Sequence, residues 1–184
     1  MKNNTFHIIT PTFNRPDLLQ RLIDSLIKQV YQNWKCIIID DSTNALTQKK
    51  YENIGDIDSR FIYINNEINS GVNFSRNAGI DYLNKNSFES SAYLVFVDDD
   101  ECLKADALDE ANNKINNSNG ALWLISQVVS FDKKKNLLKV KKPKSTYDYI
   151  QDYLSRSCLA GDALHFINQD LILNNNIRFD SSIK

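Results

Sequence analysis

Four short apolar runs, separated by segments of helical period, constrain this chain more than any other feature. They are Phe6-His7-Ile8-Ile9-Thr10, residues 34–39, residues 61–64 and residues 92–97. A strand buried on one face alternates apolar with polar residues. A strand buried on both faces reads as a nearly continuous apolar run, as these do. Between the first two runs, Leu18, Leu19, Leu22, Ile23, Leu26, Ile27 and Val30 recur at helical spacing. Asn14 is placed to cap that helix, with Pro16 and Asp17 in its first turn. Further helices are expected near residues 45–54, 74–83 and 105–115. Strand–helix repetition of this kind predicts a mostly parallel sheet with helices on both faces, joined by right-handed crossovers.

The second half reads differently. Residues 122–131 form a long strand candidate, and residues 137–140 are expected to pair back on it as a hairpin. A basic stretch, residues 133–144, is interrupted by Pro143; it reads as a solvated hairpin, with contact to an anionic acceptor or membrane headgroups as the minority reading. Residues 146–154 suggest a weak helix, 163–167 a strand and 168–173 a short helix. The 23 asparagines gather in short clusters such as Asn174-Asn175-Asn176, which suit loops because Asn tolerates positive φ. No internal repeat or long linker is visible. The expected fold class is α/β: a Rossmann-like, mostly parallel central sheet flanked by helices, with a small irregular or antiparallel C-terminal part. Residues 1–184 form one domain in this reading, a nucleotide-type half over 1–101 and an irregular half over 102–184.

Composition narrows the function classes. At 42% hydrophobic and 24% charged residues, the chain is globular rather than disordered. Its formal net charge of -1 carries no strongly basic footprint for nucleic acid. No run of about 18 apolar residues exists, so no transmembrane helix is expected. The polar opening at 1–5 leads straight into the first strand, without a visible secretory signal. Cys36, Cys102 and Cys158 match neither a disulfide framework nor a zinc spacing, so a reducing, cytoplasmic compartment is expected.

In open parallel sheets, ligands bind beyond the C-terminal ends of the strands. Two acidic groups fall there. Val97-Asp98-Asp99-Asp100-Glu101 places four adjacent carboxylates after the fourth run. Two unit charges about 4 Å apart repel by roughly 4 kcal/mol at an effective dielectric of 20. Solvent or a hard cation such as Mg²⁺, Mn²⁺ or Ca²⁺ relieves that cost. Alternation in an extended segment puts Asp98 and Asp100 on one side and Asp99 on the other. The plainer alternative is a solvated turn before a helix N-terminus, where acids are favourable in any case. Asp40-Asp41-Ser42 repeats the pattern after the second run, either to bond a nucleoside or to cap the next helix. Third is Asn69-Ser70-Gly71-Val72-Asn73-Phe74-Ser75-Arg76-Asn77-Ala78-Gly79. Gly71 permits a sharp loop with positive φ, Arg76 near a helix start suits phosphate, and Gly79 permits close packing of the helix. An ordinary loop-to-helix junction with a surface Arg is the alternative. His7 reads as structural and His165 as a packed core residue.

Ile9-Thr10-Pro11-Thr12-Phe13-Asn14-Arg15 resembles the opening of the family 2 glycosyltransferases, nucleotide-sugar enzymes of the GT-A fold. So do Ile38-Ile39-Asp40-Asp41-Ser42, the 69–79 segment and the 96–100 run, in the family's order and at its approximate spacing. The likeness covers residues 6–101, and Asn176-Ile177-Arg178-Phe179-Asp180 extends it more loosely. The resemblance implies that Pro11, Thr12 and Phe13 line the base pocket, with Phe13 packed on the base. It implies that Asp41 bonds the base, commonly uracil, and that Arg76 lies near the nucleotide. Asp98 and Asp100 are then the acids of a DxD motif: Asp100 holds the Mn²⁺ or Mg²⁺ that bridges the diphosphate, and Asp98 or Asp99 reaches the ribose. The implied reaction is an inverting, metal-dependent transfer from a nucleotide-sugar donor, most commonly a UDP-sugar, to a glycan or lipid-linked acceptor. Such chemistry belongs to surface polysaccharide or lipopolysaccharide synthesis, in the cytoplasm or at the inner face of the membrane.

The family's base, which deprotonates the acceptor hydroxyl, follows a Phe-Asp segment like Phe179-Asp180 by several residues. It is therefore expected beyond Lys184, in a chain read as C-terminally truncated. Asp162 is the nearest acid on the acceptor side and reads as an acceptor contact. Two other classes stay open on the sequence: a sugar-phosphate nucleotidyltransferase, and a non-catalytic nucleotide-binding module.

Overall fold

The computed structural model describes residues 2–43, 45–86, 92–120, 122–125, 128–131, 137–141 and 164–182. Its elements run in the order β1 (Thr5–Thr12), α1 (Pro16–Ile27), β2 (Trp34–Asp40), α2 (Ala45–Tyr51), α3 (Ile54–Ile57), β3 (Phe61–Asn65), α4 (Val72–Lys85) and β4 (Ala92–Phe96). Then follow α5 (Ala107–Asn117), β5 (Trp123–Ile125), β6 (Val128–Phe131), β7 (Leu137–Lys141), β8 (His165–Asn168) and α6 (Gln169–Asn174). Six strands form one sheet in the order β3-β2-β1-β4-β8-β5. The first four are parallel to one another, and β8 runs antiparallel to both β4 and β5.

The first, second and fourth apolar runs are buried on two faces, as their continuity requires, whereas the third, in edge strand β3, is only partly buried beyond Phe61. Phe6, Ile8, Cys36, Ile38, Tyr93 and Val95 point to one face, where they meet Leu19, Leu22 and Leu26 of α1 and Leu108 and Ile115 of α5. Ile9, Ile37, Ile39 and Leu94 point to the other, against Ile80 and Leu83 of α4 and Ile172 of α6. His7 shares this second face and is 1% exposed; its Nδ1 meets Gln169 Oε1, a structural pairing. The cost of burying each polar ring or amide is met by the other.

Several sequence expectations need correction. The first strand outlasts its apolar run, which ends at Thr10, and continues to Thr12, with Pro11 opposite Ile39. In a parallel ladder, alternate residues bond to opposite neighbours. The Ile9 carbonyl accepts from Val97 N on the β4 side, so Pro11 also faces that side, where pairing has already ended at Ile9–Phe96. The missing N–H of proline therefore costs no ladder bond. Asn14 does not cap α1: Arg15 occupies the N-cap position without a side-chain cap, and Asn14 adopts φ 52° with its N–H donated to Ser42 Oγ at 2.7 Å. The helix expected near 45–54 is two short ones. The 122–131 stretch is not one strand, because β5 joins the main sheet while β6 pairs with β7 in a separate hairpin. His165 is not a packed core residue; it is half-buried and accepts from Trp123 Nε1 at 2.9 Å. The helix expected over 146–154, Cys158 and Asp162 lie outside the described residues.

The strand order carries the functional consequence. From β1 the chain proceeds outward to β2 and β3, then returns to place β4 on the other side of β1. The crevice between β1 and β4 is thus a topological switch point, the place where open α/β sheets bind ligands.

Candidate active site

Four loops meet at the C-terminal ends of β1 to β4: 13–15, 41–43, 66–71 and 97–101. The apolar strands fix where each begins, so residues far apart in sequence arrive at one rim. Gly71 makes the third loop possible, at φ 89°, directly before α4. Gly79 lets α4 lie against β1: a Cβ there would stand 2.6 Å from Ile9 Cγ2.

The three aspartates after β4 differ sharply in exposure. The side chains of Asp98 and Asp100 are 47% and 53% exposed, whereas that of Asp99 is fully buried. Asp99 Oδ2 accepts from Thr12 Oγ1 at 2.7 Å, and its Oδ1 lies 2.7 Å from an Arg15 guanidinium nitrogen. In this conformation Asp99 offers no free edge to a ligand. Arg15 also approaches Asp100 Oδ2 at 3.5 Å. From the other flank, Arg76 donates to Asp98 Oδ1 at 2.8 Å. Glu101 turns back and accepts from the Asp98 backbone N–H at 3.2 Å.

The electrostatics follow from this packing. Burial, then the nearby Asp98 charge, pushes the Glu101 carboxyl up to about 7. Burial also raises Asp99, against the pull of Thr12 and Arg15. Four carboxyls thus face two guanidiniums, with Asp98 and Asp100 presenting oxygen to solvent. The negative excess favours a cation, and an all-oxygen donor set suits Mg²⁺ or Mn²⁺. Among the described residues, no three His, Cys, Asp or Glu side chains form a ready cage. Mg²⁺ sites that draw on one or two carboxylates plus substrate phosphates need no such cage. The residues fit the ion.

Asp40 and Asp41 are both buried but differently employed. Asp40 accepts from Ser42 N at 2.9 Å and from the Tyr63 hydroxyl. Asp41 Oδ1 accepts from Asn66 Nδ2 at 2.7 Å and Ser70 N at 3.0 Å, and Oδ2 accepts from Gly71 N at 2.7 Å. Of the first motif, Pro11 and Thr12 are buried in the sheet, and Phe13, 43% exposed, is the residue presented at the rim. Sequence reasoning missed Arg15 as the partner of Asp99, Glu101 as a raised carboxyl, and Asn66, Asn73 and Asn77 as site scaffolding. Arg15 stood inside the first motif and Asn73 and Asn77 inside the third; Asn66 carried no signal amid so many other asparagines. Cys36 is buried, which pushes its thiol up to about 12, and Cys102 is exposed without a disulfide partner among the described residues.

Comparison with known proteins decides the family: a sequence model of Glycosyl transferase family 2 matches residues 7–172. The chain belongs to glycosyl transferase family 2. It is 37% identical over 102 residues to WcaA of Escherichia coli strain K12, a glycosyl transferase assigned provisionally to colanic acid biosynthesis. That match covers 55% of this chain and 34% of WcaA. It is 32% identical over 110 residues to the GalNAc(5)-diNAcBac-PP-undecaprenol beta-1,3-glucosyltransferase of Campylobacter jejuni, covering 59% of this chain and 34% of that one. The chain thus matches about a third of the length of these relatives. Among solved structures, Staphylococcus aureus TarS 1-349 in complex with UDP superposes with a TM-score of 0.72 at 19% identity, over 98% of this chain and 51% of that one. The mannosyltransferase PcManGT from Pyrobaculum calidifontis, in complex with GDP-Man and Mn²⁺, gives 0.67 at 14% identity, over 100% and 49%. At those identities the likeness is one of fold, and the fold of this glycosyl transferase family 2 member is GT-A.

Proposed function

We propose that this family 2 chain carries the donor site of an inverting, metal-dependent glycosyltransferase that moves a sugar from a UDP-sugar to a glycan or lipid-linked acceptor. The observation that carries the reading is the acidic run closing β4 at the switch point, with Asp98 and Asp100 open and flanked by Arg76 and Arg15. Asp98 and Asp100 would hold Mn²⁺ or Mg²⁺. When bound, such an ion neutralises charge gathering on the leaving diphosphate. Around it, this chain's own groups orient the donor. Phe13 offers a ring for the base, Asp41 an acceptor that the base would share with the Ser70 and Gly71 amides, Asp98 an oxygen for the ribose and Arg76 a positive charge near the phosphates. Asp99 sits behind them, tying β1 to β4 through Thr12 and Arg15.

The acceptor class follows the relatives, one of which is named for an undecaprenol-linked substrate. Surface polysaccharide or lipopolysaccharide synthesis, in the cytoplasm or at the inner membrane face, is the setting that fits. No described helix is long and apolar enough to cross a membrane. No described residue is assigned as the catalytic base.

Calorimetric titration with UDP, with and without Mn²⁺, tests the donor site. Binding should depend on the metal, and Asp100→Asn should weaken the Mn²⁺-dependent part about tenfold or more. UDP binding indifferent to both Mn²⁺ and Asp100→Asn would sink the proposal.

A further inference from the structure

One face of α4 is occupied by a segment from the far end of the chain. Asn73, Asn77 and Asp81 stand four residues apart, which aligns them along one helical face. Each holds the 178–180 segment. Asn77 donates Nδ2 to the Phe179 carbonyl and accepts from the Phe179 N–H through Oδ1, both at 2.9 Å. Asn73 Nδ2 donates to the Asp180 carbonyl at 3.0 Å, and Asp81 pairs with Arg178 at 2.8 Å. The Phe179 backbone is therefore fixed from both sides.

Its ring lands between two parts of the acid site. It packs edge-on against Phe96, the last residue of β4, with centroids 4.9 Å apart. The Arg76 guanidinium carbon lies 5.3 Å from the same ring's centroid. Arg76 is also the residue that grips Asp98, and its Nε is buried with no hydrogen-bond partner among the described residues. A guanidinium N–H withdrawn from water without an acceptor is costly. An aromatic face nearby offsets part of that cost by cation–π attraction.

We propose that Phe179 is a positioning residue: held along the Asn73–Asn77–Asp81 seam, its ring keeps Arg76 turned onto Asp98. The strap thereby sets the orientation of one donor-site acid from the acceptor-side half of the chain. Only the last step, the effect on donor binding, rests on the glycosyltransferase reading.

The test compares Phe179→Leu, which keeps apolar bulk but loses the π face, with Phe179→Tyr, which keeps the ring. Asn77→Ala, which frees the strap backbone without touching the ring, is the third variant. The direct readout is the Arg76 Nε–H resonance in ¹H–¹⁵N spectra, assigned with Arg76→Lys. In the native chain it should be displaced by the Phe179 ring current. The displacement should survive Phe179→Tyr and vanish in Phe179→Leu and Asn77→Ala, each checked for a native melting transition. UDP affinity in Mn²⁺ should fall about fivefold in Phe179→Leu and stay within about twofold of native in Phe179→Tyr. A Phe179→Leu chain with the native Arg76 resonance overturns the proposal, as does equal affinity loss in the Leu and Tyr variants. If the native chain fails to bind UDP, the donor reading falls, and the resonance alone decides the role of Phe179.

Discussion

Asp41 is the most heavily used acceptor at the site. An ionised carboxylate offers about four lone-pair positions. Here the side chain of Asn66 and the backbone N–H groups of Ser70 and Gly71 already occupy them, Ser70 N reaching both oxygens at 3.0 and 3.1 Å. Its first duty is to hold the 66–71 loop and the start of α4; a base N–H arriving at Asp41 would compete with those amides. Asp41→Asn replaces one oxygen with a donor that faces other donors. Leaving buried N–H groups unpaired costs about 1–3 kcal/mol. The expected outcome is amide exchange at Ser70 and Gly71 faster by roughly tenfold or more, together with weaker UDP binding. Native exchange rates in the variant would show that the loop does not lean on Asp41. The acidic pair at 40–41 was legible as a feature at a strand end. The division of labour was not, because the partners of Asp41 lie 25 to 30 residues away and those of Asp40 are its own turn and Tyr63.

At the scale of elements, β1 and α4 show what a local pattern can and cannot specify. Gly79 was readable as a close approach, but its partner was not; the structure supplies Ile9, with Cγ2, Cδ1 and Cγ1 at 2.6 to 3.0 Å from a would-be Cβ. Gly79→Ala should destabilise the fold by about 1–3 kcal/mol despite the better helix propensity of alanine. Ile9→Ala removes all three atoms, so the double variant should lose measurably less than the sum of the singles in urea unfolding. Strict additivity would place the clash elsewhere. The reach of sequence was shorter for α1, where Asn14 looked like a cap. Asn favours positive φ as well as N-cap positions, and only the nearby Ser42 hydroxyl settles which role it takes. The start of β3 gives a pH test. Asp58 Oδ1 accepts from both the backbone N and Nε of Arg60 at 3.0 Å, and Arg60 stacks 4.0 Å from the Trp34 ring. Hydrogen bonding to Arg60 holds the Asp58 carboxyl below its ordinary value of 3.8. A lowered carboxyl contributes stability above its unfolded-state pKa, and that contribution disappears as pH falls through the folded value. Asp58→Asn should therefore cost about 1 kcal/mol at pH 7, a penalty that fades as pH falls through the lowered folded value of Asp58. A penalty equal at both ends would mean that Arg60 bonds the amide as well as the acid.

On the scale of the whole molecule, continuous runs such as 37–39 and 92–97 pointed to a doubly covered, mostly parallel sheet, the commonest setting in which both sides of a strand are buried. They could not identify the order β3-β2-β1-β4, which depends on where the crossover after β3 returns, a choice no single run records. That return is what brings Asp99 beneath Thr12 and Arg15, and so makes β1 and β4 two walls of one crevice. Because both walls belong to the central sheet, occupancy of the crevice should be felt by the entire fold. The acid run carries two more carboxyls than guanidiniums, and part of that repulsion is borne by the metal-free protein. Anything that binds only the folded state raises stability by mass action, by about 2.7 kcal/mol at a hundred times its Kd. For a chain of this length that is roughly 5–10 °C in Tm. Mn²⁺ and UDP together should reach that range, and either alone should give clearly less, since in the proposed donor site each would add ligands for the other. Asp100→Asn should cut the joint increment to about half or less, while leaving the Tm of the ligand-free protein equal or slightly higher, because one repelling charge is gone. A joint shift that Asp100→Asn leaves undiminished would locate the metal away from the end of β4.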